Sequence, residues 1–260
     1  MYFKTSQSET KAMNYKLIAL LSAIAAICLS LNVYANSLTI DEMRHQEMAD
    51  FLNQKMLDYT GRNNIPNALV AMVTADSMYL LRGYGYADQD NRVPIDPNHH
   101  LFRIGSVSKI FTWTAILQFY EQGLVDLDAD ISEYLDIDLN HKILFKDGDP
   151  APISLRHLLT HTAGYEDVLE DLFSFSPQPS LKEQLLRRVP ARIYPAGQVM
   201  AYSNWGTSLA GYIVENISGM RFEDYIKQHI FIPLGMNGSS IEQPLDTAIR
   251  KPDGTSPTMG

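Results

Sequence analysis

Phe102-Arg103-Ile104-Gly105-Ser106-Val107-Ser108-Lys109 is the stretch on which the reading of this chain turns. It sets a hydroxyl, Ser106, at the expected first turn of a buried helix, with an amine, Lys109, three residues on. Residues at i and i+3 share one helix face, so Ser106 Oγ and the Lys109 ammonium can meet. A helix start also offers unpaired backbone N–H groups and a partial positive charge, both of use to a developing anion. A hydroxyl so placed has the outline of an activated nucleophile. Downstream, Val107, Ile110, Phe111, Trp113, Leu117, Tyr120 and Leu124 recur at helical steps, and Gly123 supplies a stop. The spacing alone is weak evidence, because Ser8-Glu9-Thr10-Lys11 has it too, in a polar tail.

The chain has 260 residues, 45% hydrophobic and 20% charged, with a formal charge of −9. That suits one globular unit with a sizeable core, in one lobe or two. The acidic balance excludes a general binder of nucleic acid or anionic membranes. Lys11 and Lys16 precede an apolar run, Leu17 to Leu31, too short for a comfortable membrane span. Val33-Tyr34-Ala35 offers a small-residue cleavage site. Residues 1–35 therefore read as a signal peptide, with Met13 as an alternative start and an uncleaved anchor as the alternative fate. The expected domain is residues 36–260, exported to the periplasm or secreted. Cys28, the single cysteine, lies inside the apolar run. The mature chain thus has no disulfide and no thiol nucleophile.

Thr39-Ile40-Asp41-Glu42 reads as a capping box opening a helix to about Tyr59. Residues 68–73 and 78–81 read as a β-hairpin around Thr74-Ala75-Asp76-Ser77. Gly83-Tyr84-Gly85 lacks the third glycine and the following helix of a dinucleotide loop, so these glycines read as strand-end positions. Residues 91–101 read as a polar loop. Asp126, Asp128 and Asp130 lack the glycine and terminal glutamate of an EF-hand and read as a solvated connection. Short helices are expected over Leu155–Thr160 and near Leu181–Arg188. Longer ones are expected over Trp205–Ile217, with Gly219 as stop, and over Phe222–Phe231.

A second constellation is Tyr202-Ser203-Asn204, before a helix. A phenol can act as a general base if a nearby cation lowers its pKa, and Lys109 can be that cation. Asn204 can donate a hydrogen bond to a substrate carbonyl. Tyr34-Ala35-Asn36 shows the same spacing, so this motif too is weak alone. His161 invites a Ser-His-Asp triad, but Lys109 removes the need for a histidine base. His157 and His161 lack the intervening glutamate of a zinc protease and read as structural. No G-x-S-x-G elbow surrounds Ser106 or Ser108.

Four segments in order carry a resemblance: Phe102 to Lys109; Leu158-Leu159-Thr160-His161-Thr162-Ala163-Gly164; Pro195-Ala196-Gly197 through Tyr202-Ser203-Asn204; and Pro233-Leu234-Gly235-Met236. Together they resemble the serine β-lactamase and penicillin-binding family, in its class C and D,D-peptidase/esterase branch. The resemblance implies Ser106 as the acylated nucleophile and Lys109 as its cationic partner in proton transfer. It implies Tyr202 as the base for acylation and Asn204 as a substrate-amide contact. Lys109 and Tyr202 act as a coupled pair, and the Ser106 backbone N–H serves the oxyanion hole. His161 becomes part of a structural turn. No metal and no cofactor is called for.

The fold expected is α/β in the β-lactamase manner: an antiparallel sheet flanked by helices, plus an all-helical lobe. The family's third motif, Lys-Thr-Gly or His-x-Gly, has no counterpart after Tyr202, and Lys251-Pro252-Asp253-Gly254 does not supply it. The expectation is therefore a truncated chain whose C-terminal strands are missing, with an open edge on the strand near residues 68–73. The implied function is an exported serine hydrolase acting on amides or esters, such as β-lactams or D-alanyl peptides, with cell-wall association. The alternative is a catalytically impaired relative that binds a peptide or cell-wall fragment.

Overall fold

The computed structural model describes residues 40–146, 151–169 and 178–242. Residues 1–35, Thr39 of the capping box, and Lys251 to Gly254 lie outside the described residues. The chain divides into two compact units, one through Asn98 and the other from His99. Among the described residues no helix is long and apolar enough to cross a membrane.

The first unit holds helix α1 (Ile40–Arg62) and strands β1 (Asn67–Val73), β2 (Met78–Asp88) and β3 (Val93–Pro94). The strands form an antiparallel sheet in the order β1-β2-β3. The hairpin turn closes with Thr74 N–H donating to Ser77 O at 2.8 Å, and β1 runs against β2 with Val70 opposite Arg82. His45 of α1 sets its ring edge-on to Tyr79 of β2, centroids 3.6 Å apart. Among the described residues β1 pairs only with β2, so it is an edge strand.

Gly83 and Gly85 lie inside β2, not at its end, and β2 continues to Asp88. A Cβ at Gly83 would run into Ile95, and one at Gly85 into the Pro66 carbonyl, so glycine serves close approach of neighbouring backbone. The polar loop over 91–101 contains a short strand, β3, whose register against β2 shifts between Tyr86 and Asp88.

The second unit is helical. A 3₁₀ turn (Gly105–Ser108) runs into α2 (Lys109–Glu121). Then follow a 3₁₀ turn (Ile131–Tyr134), α3 (Leu155–Leu159), α4 (Leu181–Arg187), α5 (Asn204–Ser218) and α6 (Phe222–Ile226). The last of these continues as a π-turn over Lys227–Phe231. The core centres on α5, whose Leu209, Ile213 and Val214 are fully buried against α2, α3, α4 and α6. Burying each such side chain contributes about 1.5–3 kcal/mol. α5 starts where the Ser203 hydroxyl accepts from Gly206 N–H at 3.0 Å, and stops at Gly219 in the left-handed region, φ 67°. α3 and α4 each open on a serine capping box, Ser154 with His157 and Ser180 with Glu183.

α2 turns inward a different face from the one its apolar spacing predicts. Its inward face is Phe111, Thr112, Ala115, Ile116 and Phe119, whereas Val107, Ile110, Leu117 and Tyr120 are exposed. The helix is apolar nearly all round, so several stripes fit a period of 3.6 and only packing selects one. Ser106 is likewise not in a buried α-turn but in an exposed 3₁₀ turn just ahead of the α-helix.

The aspartates of the acidic connection have protein partners. Asp126 accepts from Asp128 N–H, Asp128 makes a two-pronged pair with Arg156, and Asp130 caps the 3₁₀ turn through Ser132 N–H.

Candidate active site

Ser106 sits in the 3₁₀ turn and Lys109 at the first position of α2. In a 3₁₀ turn residues i and i+3 eclipse, which sets the two side chains on one line. Lys109 Nζ donates to Ser106 Oγ at 3.1 Å and to Asn204 Oδ1 at 2.7 Å. Tyr202 Oη lies 2.7 Å from Ser106 Oγ, and Lys109 Nζ stands 4.7 Å from the centre of the Tyr202 ring. All four residues singled out in the sequence therefore meet in one cluster, within the second unit. It faces solvent: Ser106 is exposed and Tyr202 is 42% exposed.

What brings Tyr202 and Asn204 to Ser106 is a pair of chain segments lying side by side. Gly164 O accepts from Ile193 N–H at 2.8 Å and from Tyr194 N–H at 3.3 Å. Further along, Gly197 N–H donates to Thr162 O and Ala201 N–H to His161 O, each at 2.8 Å. Gly164 has φ 83°, and a Cβ there would run into the Tyr194 carbonyl oxygen. Gly164→Ala should thus cost about 2–5 kcal/mol, combining left-handed strain with overpacking. Urea unfolding followed by circular dichroism checks this; a loss under 1 kcal/mol would show that the two segments can separate freely.

His161 is built into the wall of the site. Its ring packs on the Tyr202 ring at 4.4 Å between centroids and edge-on to Trp113 of α2 at 5.9 Å. Its Nδ1 accepts from Ser203 N–H at 3.4 Å, which requires a neutral imidazole. Burial, with help from the Lys109 charge, pushes its pKa down and keeps it so, against an opposing pull from Asp167. His157 acts similarly in the α3 capping box, where its Nδ1 accepts from Ser154 N–H at 3.1 Å. Among the described residues no group of three His, Cys, Asp or Glu is placed to hold a metal ion.

The Tyr202 phenol is the electrostatically tuned group. Burial pushes its pKa up, but the neighbouring Lys109 ammonium and Ser106 hydroxyl outweigh this and bring it below its ordinary value. Asp167 opposes them. A phenol so placed can hold or take the Ser106 proton nearer neutral pH than a free tyrosine can.

Asp167 is a site residue that no motif announced. Its carboxylate accepts from Asn204 N–H at 2.8 Å and from Asn204 Nδ2 at 3.1 and 3.2 Å. A cavity of about 320 Å³ in the same unit lies apart from this cluster; its lining includes Ile131, His141, Ile153 and the buried Arg192.

Penicillin-binding protein 4* of Bacillus subtilis (strain 168) is 26% identical over 195 residues, covering 72% of this chain and 41% of the relative. The D-amino acid amidase from Ochrobactrum anthropi SV3, solved with L-phenylalanine amide, is 30% identical with a TM-score of 0.55. The match covers 69% of this chain and 49% of the amidase. A class C beta lactamase from Rhodobacter sphaeroides is 27% identical with a TM-score of 0.52, covering 68% of this chain and 47% of that structure. The chain spans 36 to 44% of the length of the first curated relatives it matches. The family model named Beta-lactamase matches residues 46–258, and the chain belongs to that family.

Proposed function

We propose that this chain is an exported serine hydrolase that works through an acyl-enzyme on Ser106. The observation that carries this reading is the convergence on Ser106 Oγ of Lys109 Nζ at 3.1 Å and Tyr202 Oη at 2.7 Å. A serine hydroxyl is a weak nucleophile until a base takes its proton, and these two groups are in hydrogen-bond reach of it. Tyr202, held toward its phenolate form by Lys109, accepts the Ser106 proton as Oγ bonds to the substrate carbonyl carbon. The Ser106 backbone N–H supports the developing oxyanion. The C–N or C–O bond to the leaving group then breaks, and the leaving group takes the proton. Water, deprotonated by the same pair, attacks the ester and frees the acid and Ser106.

Substrates are amides or esters, with β-lactams and D-alanyl peptides first among them. The likeness to a penicillin-binding protein and to a D-amino acid amidase supports this choice. Asn204 contacts the substrate amide through Nδ2. Residues 1–35 carry the chain to the periplasm or beyond, where cell-wall peptides are the available substrates.

The test is intact-mass spectrometry of the purified chain after incubation with a fluorescent penicillin. A single adduct mapping to the Ser106 peptide is expected. Its rate of formation should rise with pH and level off at a lower pH than an unperturbed phenol would set, since Lys109 and Ser106 hold the Tyr202 phenol below its ordinary value. Well-folded protein with no adduct, and with simple esters also unturned, would reject the hydrolase in favour of a binding protein.

A further inference from the structure

We propose that Asp167 is a positioning residue that fixes which way the Asn204 side-chain amide faces, and through it the placement of the Lys109 amine. This rests on the reading of Ser106, Lys109 and Tyr202 given above. The Asn204 amide stands between two charged groups of opposite sign. On one side its Oδ1 accepts from Lys109 Nζ at 2.7 Å; on the other its Nδ2 meets both Asp167 oxygens at 3.1 and 3.2 Å.

The chemistry of the partners fixes this orientation. An ammonium only donates and a carboxylate only accepts, so the atom facing Lys109 must be the amide oxygen and the atom facing Asp167 the NH₂. Turning the amide over would set its NH₂ against the ammonium and its oxygen against the carboxylate. Asp167 is held in its own place by accepting the Asn204 backbone N–H at 2.8 Å, at the first turn of α5, where the helix end favours an anion. One carboxylate thus grips both the backbone and the side chain of Asn204. An amide NH₂ carries two hydrogens, so the grip leaves one for substrate.

Asp167 also acts at longer range. The groups facing Tyr202 and Lys109 are each other, Ser106 and Asn204, His161 from its turn, and Asp167. His161 is neutral, so among these Asp167 is the negative charge set against the Lys109 ammonium. It pushes the Tyr202 phenol up, opposing Lys109. Removing its charge while keeping an acceptor should therefore do two separable things. The amide loses its charge-assisted hold, and the phenol titrates lower.

Asp167→Asn, Asp167→Ala and Asp167→Glu separate these outcomes. For Asp167→Asn the maximal acylation rate with a fluorescent penicillin should fall by about ten- to a hundredfold, the scale of a misplaced catalytic group. Its acid limb should move to lower pH. Asp167→Ala should lose more rate, and Asp167→Glu should return the acid limb toward the wild-type position. A role confined to capping α5 would lower the melting temperature and leave the limb unmoved at temperatures well below melting.

The ¹³Cε signal of Lys109, identified by its loss in Lys109→Arg, supplies a readout independent of activity. When the amide is released in Asp167→Ala, Lys109 loses its Asn204 acceptor, and its ¹³Cε chemical shift at a fixed pH should move. Wild-type acylation with an unmoved Lys109 signal and an unmoved acid limb in the variants would overturn the positioning role while leaving the hydrolase intact. A Lys109 signal that moves in the Asp167 variants of a protein that never acylates would do the reverse.

Discussion

Ser106→Ala is expected to abolish the penicillin adduct and to lower turnover of any ester or amide substrate by about a millionfold, the scale of losing a nucleophile that works as one unit with its base. Ser203 of the second constellation does not stand ready to replace it. Ser203 is buried and commits its Oγ to the α5 cap, accepting from Gly206 N–H at 3.0 Å. Stability should change by no more than about 0.5 kcal/mol, because Ser106 is exposed and Lys109 keeps its bond to Asn204 Oδ1. Single-turnover mass spectrometry and a melting curve on the same sample check both parts. Residual acylation within a hundredfold of wild type would mean that another group carries the chemistry.

The second large effect belongs to Tyr202. Tyr202→Phe keeps the ring that packs on His161 at 4.4 Å but removes the oxygen 2.7 Å from Ser106 Oγ. Acylation should slow by about 10²–10⁴-fold, the usual contribution of a positioned acid–base group. Lys109→Ala should slow it by a similar factor and differ in its pH profile. Burial pushes the Tyr202 phenol up, while Lys109 and Ser106 together push it further down. Taking Lys109 away lets the phenol rise, so the acid limb of acylation moves to higher pH. Because the two groups form one proton-holding pair, the double variant should lose less than the product of the single losses. Pre-steady-state rates measured across pH for the three variants decide this. Additive losses with identical pH profiles would separate the pair into independent contributors.

The parts of this site written in short-range spacing were legible from sequence. Ser106 with Lys109, and Tyr202 with Asn204, are each local patterns that survive folding because a single turn fixes their geometry. The helix stop at Gly219 was readable for the same reason: a left-handed glycine acts within its own turn. Asp167 was not legible. Its partner, Asn204, is 37 residues away, and a lone aspartate in a loop carries no periodic signal. The inward face of α2 was misread because an almost wholly apolar helix offers no contrast for periodicity to use. Gly83 and Gly85 suggested a strand end because glycine weakens a strand on average; here the approach of Ile95 and Pro66 requires it mid-strand.

Ser106 and Tyr202 are separated by 96 residues in sequence, and Lys109 and Asn204 by 95. Closing so long a loop costs entropy before any contact returns it, so these pairings belong to the late stages of folding. Reactivity toward an acylating probe then reports the completion of assembly, not the presence of the motif. During refolding, labelling of Ser106 should appear after the helical signal and together with the final tertiary contacts, which would make the probe a clock for the last docking event.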